Sequence, residues 1–280
     1  MTTPTMTTTD AARARSASRA TRRWGAWYVA EHRFRSMLAY TQTVIATGIG
    51  SPLMYLFAMG VGLASLVDAN VEGNGLSVSY LVFVAPALLV MASFQAASEE
   101  FSYPIMLGFK WNPIFTGMGA SPLTPGQIID GQAIATTARL IVTSVLYFVF
   151  MLLFGAVPGP YGWLALVPAV LTGLAFGAPL MAYTATLERD SGQLAMVMRF
   201  LVLPLTLFSG TVFPLTQLPW FLQWIGWVSP LWHGTELARV FAYGHVEPVW
   251  LSVVHVAYLV LLAAIGWMLA RRVAARRLNR

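Results

Sequence analysis

The sequence predicts an all-α membrane protein with six transmembrane helices, and three observations support that fold class. Of its 280 residues, 57% are hydrophobic and only 10% are charged, whereas about a quarter are charged in a typical soluble protein. Several uncharged stretches are long enough for a helix to cross a bilayer, which takes about 20 apolar residues. Basic residues gather at the ends of these stretches, as they do in membrane proteins of defined orientation. We therefore expect the lipid bilayer to surround most of the chain.

Two further features of the composition limit the functions that the chain could have. The chain has no cysteine, so disulfides, thiolate nucleophiles and cysteine metal sites are excluded. Its net charge of +6 does not indicate nucleic-acid binding, because the arginines lie at the ends of apolar spans. The excess charge is better explained by the orientation of the chain in a membrane.

The uncharged stretches divide into six spans. Residues 36–67 contain no charged residue and hold the first span. The uncharged run 140–187 is long enough for two spans, and Val157-Pro158-Gly159-Pro160 supplies the turn between them. The predicted spans are residues 37–66, 79–101, 128–156, 161–187, 195–213 and 249–270. Together they form a transmembrane domain at 22–270, between a disordered cytosolic tail at 1–21 and a basic cytosolic tail at 271–280.

The placement of basic residues predicts that both termini are cytosolic. Seven arginines precede span one and five follow span six. On the same side, Lys110 follows span two and Arg189 follows span four, whereas the loops at 68–78 and 156–162 contain no basic residue. The segment after span five carries only Arg239 and is therefore expected outside.

An amphipathic helix lying on the cytosolic membrane surface is predicted before span one. In RRWGAWYVAEHRFRSML, at residues 22–38, aromatic side chains alternate with arginines. Such a helix turns its aromatic residues toward the lipid and its arginines toward the phosphates. The alternative is that this stretch is the hydrated start of span one.

Motifs for several enzyme classes are absent from the sequence. A P-loop needs a lysine after a glycine, but the only lysine, Lys110, follows Phe109. Ser209 lacks the glycine-framed elbow of a serine hydrolase, and with Gly210 it is expected to end a helix or to allow close helix packing. No carboxylate lies near the middle of a span, which argues against a proton-coupled carrier. A membrane enzyme and a passive channel or uniporter remain as alternative functions.

Three segments resemble the membrane subunit of type-2 ATP-binding-cassette exporters, in the nodulation-factor export and daunorubicin-resistance permease group. They are SPLMYLFAMGVGLASLV at 51–67, ASPLTPGQIIDGQ at 120–132 and FSGTVFPLTQLPWFLQWIGWVSPLWHGTELAR at 208–239. The third is the most specific, with an F-S-G-x-x-F-P turn, an L-P and a helix that ends in P-L-x-H. The resemblance runs over nearly the whole chain from about residue 24.

The resemblance implies that the chain re-enters the outer leaflet as short helices after span five. Pro214 and Pro219 break the span, and three tryptophans at i, i+4 and i+7 share one face of a short helix. These helices are expected to form a lid over the outer end of a translocation path; the alternative is an aromatic belt that only anchors the chain. His233 and Glu236 are expected to share a hydrogen bond. The predicted lid residues are Phe213, Pro214, Trp220, Trp224, Trp227, His233 and Glu236.

The resemblance also implies a partner, because a permease without a P-loop needs a separate ATPase subunit. The contact surface is expected in the cytosolic loop after span two, where aromatic residues need a partner or lipid to cover them. The aromatic residues are Tyr103, Phe109, Trp111 and Phe115. The residues predicted to couple to the ATPase are Glu99, Glu100, Lys110, Trp111, Asn112, Pro113, Arg189 and Asp190. Glu99 and Glu100 are expected to pair with Lys110 or with the partner.

Two arginines depart from the family pattern. Arg139 and Arg199 lie near the cytosolic membrane boundary. They are expected to extend to lipid phosphates, or else to meet an anionic substrate headgroup.

The assembly implied by the resemblance has two permease chains, identical or different, and two cytosolic ATPase subunits in the cytoplasmic membrane of a bacterium. ATP and Mg²⁺ bind in the ATPase subunits, and this chain is expected to hold no cofactor, metal or catalytic residue. Spans one, two and five line a path at the interface of the two permease chains. The expected substrate is an amphiphile: a lipid, a lipo-oligosaccharide, a polyprenyl-linked glycan or a drug.

Overall fold

The computed structural model describes residues 8–39, 50, 54–58, 62, 71–73 and 76–279. Most of the predicted first span, 37–66, lies outside these described residues. The helices, in chain order, are α1 (Thr8–Leu38), α2 (Tyr80–Glu100), α3 (Tyr103–Met106), α4 (Ile114–Gly119), α5 (Pro125–Leu153), α6 (Leu166–Thr186), α7 (Gln193–Phe208), α8 (Trp220–Val228), α9 (Pro230–Tyr243) and α10 (Val249–Leu278). Short turns of π-helix at Leu107–Trp111 and of 3₁₀-helix at Gly162–Ala165 and Leu215–Gln217 connect some of them.

A short hairpin precedes α2 and is the one departure from the predicted all-α class among the described residues. Strands β1 (Val71–Gly73) and β2 (Leu76–Val78) pair antiparallel, with Val71 opposite Val78. The hairpin lies in the loop 68–78, which is rich in glycine and asparagine. Both residue types favour tight turns.

Four helical stretches in the described part of the chain are long and apolar enough to cross a membrane. They are Tyr80–Trp111, Pro125–Leu153, Gly162–Thr186 and Val249–Leu278. The predicted fifth span corresponds to a shorter apolar helix, α7, which contains a π turn at Met198–Val202 and ends at Phe208. The protein is therefore a helical membrane protein, and a total of six spans stays a prediction.

The start of α5 shows how the local sequence sets a helix boundary. Thr124 accepts a hydrogen bond from the backbone N–H of Gln127 through its hydroxyl, and the Gln127 side chain accepts one from the Thr124 N–H. This reciprocal pair satisfies two of the free donors at a helix N-terminus. Pro125 occupies the first helical position, where its missing N–H costs nothing. The helix consequently begins three residues before the predicted Ile128.

The bundle is tightly packed at small residues. A Cβ atom placed on Gly177 of α6 would lie 2.1 Å from the ring of Phe101. A Cβ atom on Gly266 of α10 would lie 2.3 Å from the backbone nitrogen of Pro179. Close helix approach at glycine is the usual way that membrane helices gain packing contacts. As a result α6 contacts both α2 and α10 and forms the centre of the bundle.

The two terminal helices are longer than the sequence predicts. Helix α1 begins at Thr8, inside the predicted disordered tail 1–21, and α10 continues to Leu278 through most of the predicted tail 271–280. Both segments are rich in alanine and arginine, which are strong helix formers. Helix α1 packs on α5, where Val29 is buried against Gly131, while Trp24 and Trp27 are exposed.

The two ends of the bundle differ in chemistry. At the end that we call the basic end, α2, α6 and α10 finish and α5 begins. Four arginines there contact other helices: Arg33, Arg139, Arg271 and Arg277. At the opposite, aromatic end, α2 and α10 begin beside α8 and α9. Tyr80 donates to the carbonyl of Val212 at 3.2 Å, and Tyr258 donates to the carbonyl of Val228 at 2.5 Å.

Candidate functional sites at the two ends of the bundle

A buried carboxylate joins three helices at the basic end. Glu100, at the end of α2, is only 5% exposed and pairs with Arg33 of α1 at 2.9 Å and with Arg139 of α5. A buried charge is tolerated when it is paired and hydrogen-bonded in this way. The structure therefore corrects two predictions: Arg139 does not extend to lipid phosphates, and Glu100 is not available to a partner. Glu99, the adjacent residue, is exposed.

The segment between α2 and α5 is partly an interior element. Phe115 is 2% exposed, and its ring meets that of Phe109 at 4.9 Å in a T-shaped contact, which is a favoured arrangement of aromatic rings. The guanidinium of Arg277 lies 4.5 Å from the Phe109 ring. The prediction that Phe109 and Phe115 are exposed is thus wrong. Their burial fixes the segment to the bundle.

The remaining aromatic residues of this segment form an exposed surface. Trp111 is 46% exposed, and its ring stacks on that of Tyr103 at 6.4 Å. The Trp111 indole N–H donates to a carboxylate oxygen of Asp190 at 3.0 Å. The exposed predicted residues in these two segments are Lys110, Trp111, Asn112, Pro113, Arg189 and Asp190, and we call them the Trp111 surface. The sequence placed both segments on one side but did not predict that they touch.

A second contact at the basic end was missed by sequence reasoning. Asp130 on α5 accepts from the indole of Trp267 at 2.9 Å and lies 3.5 Å from the Arg271 guanidinium. Arg277 donates to the carbonyl of Ala185 at 2.8 Å. The arginines of α10, predicted only as a basic tail, therefore tie this helix to α5 and α6.

At the aromatic end, the predicted tryptophan face is present. Trp220, Trp224 and Trp227 lie on α8 and are all more than half exposed. Phe213 and Pro214 are half-buried in the turn before this helix. Gly210, with φ of 68°, follows the end of α7, and this left-handed conformation favours glycine. The expectation that Ser209-Gly210 ends a helix is confirmed.

Arg239 is the anchor of this end. It is 1% exposed, donates to the carbonyls of Gly210 and Thr211 at 2.9 and 3.3 Å, and pairs with Glu236 at 2.8 Å. Its guanidinium also lies 3.9 Å from the Phe83 ring centre. Arg239 thus joins α9, α2 and the turn after α7. Sequence reasoning treated it only as a lone charge, because the partners lie on distant segments.

The predicted hydrogen bond between His233 and Glu236 is wrong. Glu236 binds Arg239 and lies 3.5 Å from His245. His233 points instead toward α10, where its Nδ1 lies 2.6 Å from Nδ1 of the buried His255. Three residues along a helix bring side chains to adjacent positions, but Glu236 pairs with Arg239 on the same helix and His233 meets His255 on α10.

A cavity of about 410 Å³ lies between the turn after α7 and helices α8, α9 and α10. Its lining combines indole rings with polar groups, among them Trp227, Trp232, Glu236, Tyr243 and Glu247. Burial raises the pKa of Tyr243 to about 12, so its hydroxyl stays protonated and can donate. Among the described residues, no group of three or more His, Asp or Glu side chains is placed to hold a metal ion.

A comparison with known protein families identifies the class of this membrane protein. Residues 26–243 match the family described as ABC-2 type transporter. This match covers more than half of the chain, which therefore belongs to the ABC-2 type transporter family. With its membrane-spanning helices, the chain is a bacterial membrane protein and the membrane subunit of an ATP-binding-cassette exporter.

Individual relatives extend the match over most of the chain. Nodulation protein J of Rhizobium leguminosarum bv. viciae is 30% identical over 255 residues, which cover 88% of this chain and 93% of that protein. Nodulation protein J of Rhizobium meliloti (strain 1021) is 28% identical over 256 residues, covering 87% and 91%. The protein of the same name from Rhizobium leguminosarum bv. trifolii is 30% identical over 258 residues, covering 88% and 92%.

Proposed function

We propose that this chain is the permease subunit of an exporter that moves an amphiphilic substrate outward across the cytoplasmic membrane. A separate cytosolic ATPase subunit supplies the energy. The substrate is a lipid, a lipo-oligosaccharide, a polyprenyl-linked glycan or a drug. Membership of the ABC-2 family supports this proposal, and so does the sequence, in which a single lysine placed after phenylalanine cannot form a P-loop.

The observation that carries the proposal is the contact between Trp111 and Asp190. It joins two segments that extend from the ends of α2 and α6. A partner that pushes on the Trp111 surface would therefore move both helices. Because Glu100 ties the end of α2 to α1 and α5, the same displacement would reach four helices. This is the arrangement that a rigid-body transition driven by another subunit needs.

The orientation in the proposal follows from charge. The basic end carries the arginine-rich termini and the Trp111 surface, so it lies in the cytosol by the positive-inside rule. The aromatic end then lies outside. The exposed tryptophans of α8 suit the outer headgroup layer, where indole rings concentrate. We propose that α8 and α9 form a lid and that the cavity beneath them is part of the exit path.

The proposed assembly contains two permease chains and two ATPase subunits. ATP and Mg²⁺ act in the ATPase subunits. This chain carries exposed apolar side chains along α7, among them Phe200, Leu203 and Leu207. Side chains of this kind are covered either by lipid or by a second permease chain.

Co-purification and reconstitution test the proposal together. The chain is expressed with the ATPase encoded beside it, purified through a tag on the permease alone, and placed in vesicles. We expect the ATPase in equal amount and transport that requires ATP. Transport by the permease alone, without nucleotide, would instead favour the channel or uniporter. Chemical conversion of a lipid substrate would favour a membrane enzyme.

A further inference from the structure

Polar groups of the lid and of α10 meet in one buried cluster at the aromatic end. Nε2 of His233 lies 3.0 Å from the carbonyl oxygen of Trp227, and Nδ1 of His233 lies 2.6 Å from Nδ1 of His255. Nε2 of His255 lies 3.5 Å from a carboxylate oxygen of Glu247. Glu247 is held in turn by the hydroxyl of Ser252. His255 is fully buried and His233 is 5% exposed.

The direction of these contacts can be derived by counting protons. A carbonyl oxygen only accepts, so Nε2 of His233 must carry a proton that it donates to Trp227. Nδ1 of a neutral His233 is then an acceptor, and the proton between the two rings must belong to Nδ1 of His255. The remaining nitrogen of His255 lies 3.5 Å from the Glu247 carboxylate without forming a hydrogen bond. A lone pair facing an ionised carboxylate at this distance would be repelled, so a proton on this nitrogen, and hence a His255 cation beside an anionic Glu247, fits the contact.

The surrounding groups do not change this assignment. The Trp232 ring lies about equally close to both imidazoles, and the Tyr258 ring stacks on His233 at 4.1 Å; neither is charged. Glu236, one helical turn from His233, is already paired with Arg239 and lies 3.5 Å from His245. A metal ion between the rings is excluded, because metal–imidazole bonds of about 2 Å on each side need more than the observed 2.6 Å between nitrogens.

We propose that His233, His255 and Glu247 form a buried proton-binding site at the aromatic end, which holds one proton between His255 and Glu247. A second proton, taken from the external medium at Nδ1 of His233, removes the only acceptor in the contact between the rings. Two N–H groups then face each other on two cations, and α9 separates from α10. The site itself is defined by the contact of these two helices and does not depend on the proposed export function; only the external source of the proton rests on the orientation proposed above.

The environment of the site supports the proposal. Burial and the neighbouring His255 lower the pKa of His233 to about 4. Burial alone would raise the pKa of Glu247, but the neighbouring His255 imidazole and the hydrogen bond from Ser252 outweigh it and lower the pKa. Both directions favour a neutral His233 and an ionised Glu247 at neutral pH, as the proton count requires.

Nitrogen NMR of the whole protein tests the site directly. The chain has four histidines, so ¹⁵N-histidine labelling of the permease in lipid nanodiscs gives a spectrum that variants can assign. His32→Gln and His245→Gln assign the signals of the other two histidines. His32 lies on α1 at the basic end, and its replacement should leave the pattern of His233 and His255 intact, whereas His245 is close enough to Glu247 to influence its charge. At pH 7 we expect one unprotonated nitrogen on His233 and none on His255. On acidification, His233 should stay neutral until well below pH 6.

One variant distinguishes a proton-binding role of this cluster from a role in packing alone. Glu247→Gln removes the anion but keeps a similar shape and an acceptor oxygen, so His255 should lose its second proton at pH 7. An unprotonated nitrogen on His255 at pH 7 in the unaltered protein would overturn the proposal. It would equally be overturned if His233 titrated near its ordinary value of 6.5, or if Glu247→Gln left His255 a cation.

Discussion

The indole of Trp111 donates a hydrogen bond to Asp190, a residue 79 positions further along the chain. The contact unites the segments that follow α2 and α6 into one exposed surface at the basic end. A contact between exposed groups contributes little to stability. We therefore expect its role to lie in transmitting movement from an ATPase partner.

Trp111→Ala should lower substrate-stimulated ATP turnover of the complex several-fold while leaving the permease folded. The exposed ring is lost, together with its donor to Asp190. The matched control is Trp163→Ala, because Trp163 is also an exposed tryptophan but lies in the 3₁₀ turn before α6, at the aromatic end. ATP turnover of the reconstituted complex is the measurement. Equal turnover in both variants would count against the Trp111 surface as the coupling site.

Glu100→Gln should strongly destabilise the permease. The change leaves Arg33 and Arg139 without their shared counter-charge in a buried position, and breaking a buried ion pair costs about 3–5 kcal/mol. Thermal unfolding in detergent measures the loss. Glu99→Gln is the control, because that residue is exposed, and it should have little effect. In a double-mutant cycle, Arg139→Gln should cost less when Glu100 is already Gln.

Arg239→Gln should loosen the lid. It removes donors to the carbonyls of Gly210 and Thr211 and the charge that balances Glu236. Amide hydrogen exchange is expected to become faster along α9 and in the turn after α7, and to stay nearly unchanged in the rest of the permease. Arg199→Gln, at an exposed arginine of α7, should leave exchange in the lid unaltered. If both variants behave alike, Arg239 is not the anchor.

Gly177→Ala should destabilise the bundle by about 1–3 kcal/mol, the usual cost of overpacking. The new methyl group would overlap the buried ring of Phe101. Gly117→Ala on α4 is a suitable control, since nothing lies within 4 Å of its added carbon and alanine favours a helix. The melting temperatures of the two variants should therefore move in opposite directions.

Acid should separate α9 from α10 through His233. The packed state lowers the pKa of this residue from its ordinary 6.5 to about 4, so the separated state binds the proton more tightly. The contact is fully stabilised above about pH 6.5 and loses stability as the pH falls toward about 4. Because the chain lacks cysteine, spin labels at Val240→Cys and Val253→Cys can report the distance between α9 and α10, which should increase in acid.

His233→Gln is the control for this distance measurement. Glutamine does not titrate, so the acid-induced increase should disappear while the distance at pH 7.5 stays close to that of the labelled parent. Labelled chains diluted with unlabelled ones keep the signal within one permease. An increase of the same size in the variant would assign the acid effect to another group.

The structural features that could be predicted from the sequence are those set by residues close together in the chain. The uncharged runs predict the long helices, and the spacing of Trp220, Trp224 and Trp227 predicts the exposed face of α8. Pro214 and Pro219 likewise predict the broken segment after α7. Each of these signals lies within a few turns of chain, where helix periodicity and proline geometry apply.

The features that sequence could not predict depend on distant partners. Glu100 pairs with an arginine 39 positions away, and His233 meets a histidine 22 positions away. Such pairs are set by how the helices pack, and composition alone assigned these residues to exposed or local roles. The burial of Phe109 and Phe115 was missed for the same reason, because a loop between spans can fold back onto the bundle.

Cross-linking from Asn112 tests directly whether the Trp111 surface lies in the cytosol and contacts an ATPase subunit. Asn112→Cys provides a single thiol on the Trp111 surface of a chain that has no other cysteine, and it carries a photoreactive maleimide in native membranes. We expect a membrane-impermeant reagent to reach this thiol only from the cytosolic side, and illumination to join the permease to the ATPase subunit. Labelling from the external side, with no adduct to an ATPase, would contradict this expectation.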